Sequence, residues 1–165
     1  MREALRRCHT QYRQRRDMKD QRKRLPVKQD YVQALGLATY AFASCEWQVV
    51  WCCEKIRPGS LTKIVSDEMT AGQIARYFLN ISSDFPNRKE REELLRLART
   101  FVDLVTERNK ILHGKPCTGP NGESRLSGKG VIELVDLEDA ADAFAECGSK
   151  LNALYYGFLS TYVAQ

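Results

Sequence analysis

The chain has 165 residues, of which 43% are apolar and 28% charged, a balance that suits one globular domain with a real core and excludes a low-hydrophobicity disordered chain. No apolar run approaches the ~20 residues that span a bilayer, and the basic N-terminus has no apolar stretch behind it, so neither a membrane span nor a secretory signal is expected. The net charge of +5 lies in residues 1–30, which hold eleven Lys/Arg against four Asp/Glu, while the remaining residues hold fifteen against seventeen; a basic segment on a near-neutral body points to a polyanion or an acidic protein partner, or else to a solvated helix.

Residues 3–24 (EALRRCHTQYRQRRDMKDQRKR) contain neither Gly nor Pro and many strong helix formers. Their apolar face is thin, limited to Leu5, Cys8, Tyr12 and Met18. A helix is predicted that is loosely attached or completed by a partner, and Pro26 breaks it. Residues 1–27 are therefore read as a basic extension and 28–165 as the folded domain.

A second helix is predicted over 28–56, where Ala34, Leu35, Ala38, Phe42, Cys45, Val49 and Cys52 recur at spacings of three and four. Glu46 lies inside this pattern beside Trp47. An acid next to so much apolar surface needs a partner or a wet cleft, unless it faces solvent. Arg57-Pro58-Gly59 ends the helix, and 60–69 read as irregular. Thr70 is placed to cap a short third helix, AGQIARYFLNI, which stops before the turn-rich SSDFPN. Asn87 opens a fourth helix, with Glu90 at capping-box spacing. Leu94, Leu97, Ala98, Phe101, Leu104, Val105 and Leu112 form its apolar face. It is predicted to run to His113, about 39 Å, with Gly114 as its C-terminal cap.

The stretch KPCTGPNGESRLSGKGVIEL is rich in turn formers and suits a loop or small hairpin, with VIELV the candidate strand. Asp136 or Asp139 then caps a last helix through about residue 162, with Phe144, Leu151, Leu154, Phe158 and Tyr162 on its apolar line. The expected fold is all-α: an up-and-down bundle of about five helices with a small loop or β-hairpin insert before the last one. None of the six cysteines forms a C-x-x-C pair, and with only two histidines no zinc site is expected. The thiols read as reduced and mostly buried, which suits a cytoplasmic protein.

The end of the fourth helix, TERNKILHGKPC, gathers polar groups. Arg108 and His113 are five residues apart, about 140° around a helix, whereas Asn109 and His113 share a face. Arg108, Lys110 and His113 also suit the negative end of a helix dipole, so ordinary C-terminal charges would give the same composition. A second reading is phosphate chemistry. RNA cleaves itself when its 2′-hydroxyl attacks the adjacent phosphate. That step needs a base, a cation for the crowded charge and an acid for the leaving oxygen. Histidine suits the proton transfers, arginine grips phosphate through its fork of donors, and asparagine can orient either. One histidine falls short of an acid–base pair, and two protomers meeting at this end would supply two.

RNKILHG resembles the R-x4-6-H signature of the HEPN superfamily in its form Arg-Asn-x-x-x-His. The surroundings resemble that family too: a long helix carrying an internal acid (AFASCEW), an apolar helix leading into the motif, a glycine after the histidine, then a loop and a final helix. The resemblance covers about residues 30–160. It implies a helical bundle that dimerises with two motifs lining one cleft. It also implies a metal-independent RNA endonuclease that leaves a 2′,3′-cyclic phosphate, with no cofactor, of the kind found in toxin–antitoxin systems and antiviral defence. By position, Arg108 would bind the scissile phosphate, His113 would transfer protons and Asn109 would shape the site. Glu46 and Lys110 would support them, Glu46 as the family's acidic residue. Lys115, Arg125 and Lys129 are candidate contacts to the RNA backbone or plain surface charge. Partners implied are RNA, a second copy of the chain, and an antitoxin or other acidic protein. The alternative is a non-catalytic HEPN-like module that binds RNA, nucleotides or a protein partner.

Other features are read as structural. His9 sits in a charged helix and is taken as solvated, Tyr155 and Tyr156 as core or interface aromatics, and GPNGESRLSGKG lacks the order of a phosphate-binding loop. Cys117, four positions past the motif, is a reactive thiol only if an electropositive site surrounds it.

Overall fold

Apolar residues spaced at three and four over 28 positions make Gln29–Ile56 (α1) the spine of the molecule, with Ala34, Ala38, Phe42, Cys45, Val49 and Cys52 all buried. The computed structural model describes residues 26–163; the helix expected over 3–24 lies outside the described residues. After α1, Arg57 leaves helical geometry and Gly59 turns through φ 90°, a conformation that glycine adopts without penalty. The chain then forms a further helix, Ser60–Ser66 (α2), where irregular structure was expected. Seven residues are too few to show a periodicity. Its burial is confined to Ser60 and Ile64, with the Glu54 carboxylate accepting the Gly59 and Leu61 amides to hold its first turn.

Thr70 caps Ala71–Ser83 (α3) as expected, in a reciprocal box with Gln73. Asn87 Oδ1 accepts the Lys89 and Glu90 amides at the start of Arg88–Leu112 (α4). Along α4, Leu94, Leu97, Ala98, Phe101, Val105 and Ile111 enter the core, while Leu112, expected there, is 41% exposed because the helix ends and turns beside it.

The insert is a three-stranded antiparallel sheet of Lys115–Thr118 (β1), Ser124–Ser127 (β2) and Val131–Ile132 (β3), in the order β1-β2-β3. Lys115 pairs with Ser127 and Leu126 with Ile132. The strand expected over VIELV is only two residues long, because Glu133 begins the last helix, Leu134–Tyr156 (α5). Asp136, expected to be a cap, is instead the third helical residue of a capping box. Glu133 is the cap residue, and its amide donates to Asp136 Oδ2 at 2.8 Å. The helix breaks at Gly157, and Phe158–Thr161 (α6) follows as a separate turn. The bundle with a hairpin before the last helix is thus present.

Contacts along α1 set the directions. Tyr31, Phe42, Cys52 and Lys55 meet Ile132, Phe144, Leu151 and Tyr155 in ascending order, so α1 and α5 lie side by side and parallel. Phe42 stacks on Phe101 of α4 at 5.9 Å. The end of α4 meets the hairpin, which is bound to the start of α1, so α4 runs opposite to α1.

Candidate functional site at the end of the fourth helix

Arg108 does not project freely from α4. Its guanidinium lies over the ring of Phe42 with its carbon 5.4 Å from the ring centre, and Nη1 donates to Asn109 Oδ1 at 2.9 Å. The cation sits over the ring face, where the quadrupole is negative. Glu46 follows Phe42 by one turn of α1, so the same helix face offers Arg108 first an aromatic platform and then a carboxylate. Burial holds the Glu46 carboxyl above the ordinary carboxylate range, while the Arg108 guanidinium pulls it back down. The two charges sense each other, yet no ion pair closes between them among the described residues. Arg108 Nε is buried and has no acceptor there either. A buried N–H without an acceptor costs about 1–3 kcal/mol. The guanidinium is therefore positioned by a ring and an amide but not neutralised.

His113 is the C-cap of α4, with φ −99° and ψ 10°, and its amide donates to the Asn109 carbonyl at 3.0 Å. Its side chain is exposed. Asn109 shares a helix face with His113, as expected, but its side-chain oxygen is taken by Arg108. Gly114 is not a left-handed cap. The hairpin comes so close that a Cβ there would sit 3.0 Å from Leu126 Cβ and 3.1 Å from the Ile111 carbonyl, so only glycine fits without displacement.

The remaining residues singled out in the sequence separate into two groups. Lys110, Lys115 and Lys129 gather around the end of α4. Lys115 starts β1 two residues past His113, and a side chain at Gly128, beside Lys129, would begin 3.9 Å from the Lys110 carbonyl. Lys110 is paired with Glu107 at 2.6 Å on the surface. Arg125 belongs to the hairpin instead. Its side chain is 11% exposed, paired with Glu133 at 3.1 Å and Glu123 at 3.5 Å, and stacked over the Tyr31 ring at 4.8 Å. Two carboxylates offset its charge, and it is turned away from solvent.

Nothing in the sequence marks Phe42 or Tyr31 as a site residue. Phe42 reads as plain core in the sequence, and its one distinguishing mark is its place four residues before Glu46. Tyr31 joins the hairpin to α1: its hydroxyl donates to the Ile132 carbonyl at 2.9 Å and accepts from the Leu126 amide at 3.1 Å. No local pattern points to partners 95 and 101 residues away. Among the described residues no cluster of three or more His, Cys, Asp or Glu side chains is placed to hold a metal ion, and no helix is long and apolar enough to cross a membrane.

Comparison with known protein families, with characterised proteins and with solved structures returns no match to this chain.

Proposed function

We propose that the protein is a metal-independent RNA endonuclease of the HEPN type, a cytoplasmic enzyme that acts as a homodimer in a toxin–antitoxin or antiviral-defence setting. The observation that carries this reading is the state of Arg108. It is held by Phe42 and Asn109, close to Glu46 but paired with no carboxylate among the described residues. A fully paired arginine would have little capacity left for phosphate; this one keeps its charge.

In the proposed reaction, an imidazole of His113 takes the proton from the ribose 2′-hydroxyl. The oxygen so freed bonds to the adjacent phosphorus, and the 5′-oxygen leaves with a proton from the second protomer's His113, held as imidazolium. The products are a 2′,3′-cyclic phosphate and a 5′-hydroxyl. Arg108 bears the charge on the phosphate oxygens, Asn109 fixes the guanidinium, and the Glu46 charge limits how far that guanidinium strays. The exposure of His113 suits proton exchange with water and approach by a second copy. Lys115, two residues past it, and Lys129 of the hairpin would meet the flanking phosphates.

The test is digestion of a mixed RNA by purified protein in excess chelator, comparing parent with His113→Ala. Cleavage by the parent and a loss of a hundredfold or more in a folded variant are expected. Equal cleavage by both would remove His113 from the chemistry. Salt-sensitive RNA binding without cleavage by either would favour a non-catalytic binding module.

A further inference from the structure

The outer side of the α1–α5 pair carries a trough that neither the fold nor the proposed chemistry uses. On α1, Leu37, Tyr40, Ser44, Gln48, Trp51 and Lys55 follow one another at spacings of three and four; Leu37, Tyr40 and Trp51 are 57%, 75% and 42% exposed. On α5, Glu138, Asp142, Ala145, Ser149, Asn152 and Tyr156 repeat the same spacing. Two parallel helices with facing rows of this kind leave a groove that one further helix fills. Three adjoining concavities of about 440, 220 and 470 Å³ mark its course from Leu37 to Val163. Its α5 bank is acidic at the end near Leu37, where Glu138 and Asp142 are exposed and form no ion pair among the described residues. An RNA strand would be repelled there, whereas a cationic amphipathic helix would fit.

We propose that the occupant is the chain's own basic stretch, residues 3–24, lying antiparallel to α1 as the first arm of a helical hairpin. Residues 26–28 lie outside any helix, with Lys28 in an extended conformation, and lead directly into α1. Three such residues span about 10 Å, the usual separation of packed helices, and short links of this kind join antiparallel neighbours. As a helix the 22 residues reach roughly 33 Å, against about 42 Å for α1. Counting back from Arg24 level with Gln29 puts Leu5 opposite Gln48, with Cys8 and Tyr12 each within one residue of Ser44 and Tyr40. These three are the stretch's own apolar residues at spacings of three and four. The flanking arginines would lay their stems on Tyr40 and Trp51 and their charges toward Glu138 and Asp142. The proposal does not depend on the ribonuclease reading.

Hydrogen exchange on the full chain, followed by peptide mass, tests it. Amides of residues 3–24 should exchange at least tenfold more slowly than an unstructured peptide of that sequence. The double variant Tyr40→Arg, Trp51→Arg should abolish that protection while leaving residues 94–105 of α4 unchanged. Glu138→Lys with Asp142→Lys should reduce it, as should raised salt. Unprotected amides in the parent would overturn the proposal, as would protection indifferent to both variants. Protection that fades on dilution together with a halved mass would assign the trough to a second copy instead. Protection that arises only on adding RNA would make the stretch an RNA-binding arm, and the intramolecular contact would be refuted.

Discussion

Arg108 owes its position to Phe42, and that separates its charge from its shape. Arg108→Lys keeps a cation on α4 but loses the guanidinium over Phe42 and the donor to Asn109 Oδ1. Cleavage of RNA should fall by about a hundredfold, while stability drops by only about 0.5–1 kcal/mol; the rate and a urea titration measure the two separately. Glu46 should show itself in acid. Burial raises its folded pKa above the ordinary 4.5 despite Arg108. The folded protein therefore holds this proton more tightly than the unfolded chain. The stabilisation is complete below pH 4.5 and is lost as pH rises through the folded value. Glu46→Gln removes that dependence, so the Tm of the variant relative to the parent should climb with pH across this window. A difference in Tm that stays flat with pH would show that the carboxyl is not held out of water.

The hairpin governs how the end of α4 is presented, and Tyr31 ties it to α1. Tyr31→Phe strips the Leu126 amide and the Ile132 carbonyl of their shared partner, at a cost of about 1–3 kcal/mol. Faster hydrogen exchange at Leu126, with residues of α3 unchanged, is the expected signature. Elements also differ in how far the sequence discloses them. The three long helices α1, α4 and α5 and the short α3 could be read because their burial repeats every three or four residues over many turns, and Thr70 and Asn87 cap as their chemistry suggests. The seven-residue α2 could not, since one buried serine and one buried isoleucine make no period. The start of α5 came three residues earlier than Asp136 because Glu133 is an uncommon cap, recognisable only from its reciprocal bond.

For the whole molecule, the same contrast separates the fold from the site. The bundle follows from local patterns that add up along the chain. Which residues surround Arg108 follows from α1 and α4 running in opposite directions past each other, and no spacing within α4 reveals Phe42 or the Glu46 charge. Arg108, Asn109 and His113 could be picked out as a group because they share one helix end. Arg125, whose charge alone suggests a contact to RNA, sits at the centre of a charge cluster in the hairpin with Glu123 and Glu133. The proposed shared cleft also makes a prediction about assembly: light scattering should give twice the chain mass of 18.9 kDa, and mixing His113→Ala chains into the parent should lower activity more steeply than simple dilution. A monomer with full cleavage activity would leave no second imidazole for the leaving oxygen. The most direct measurement is end-group analysis of RNA incubated with the parent protein in chelator. Fragments ending in 2′,3′-cyclic phosphate and beginning with 5′-hydroxyl are predicted, and they should be missing with His113→Ala. Intact RNA, or fragments with 3′-hydroxyl and 5′-phosphate ends, would contradict the proposed chemistry.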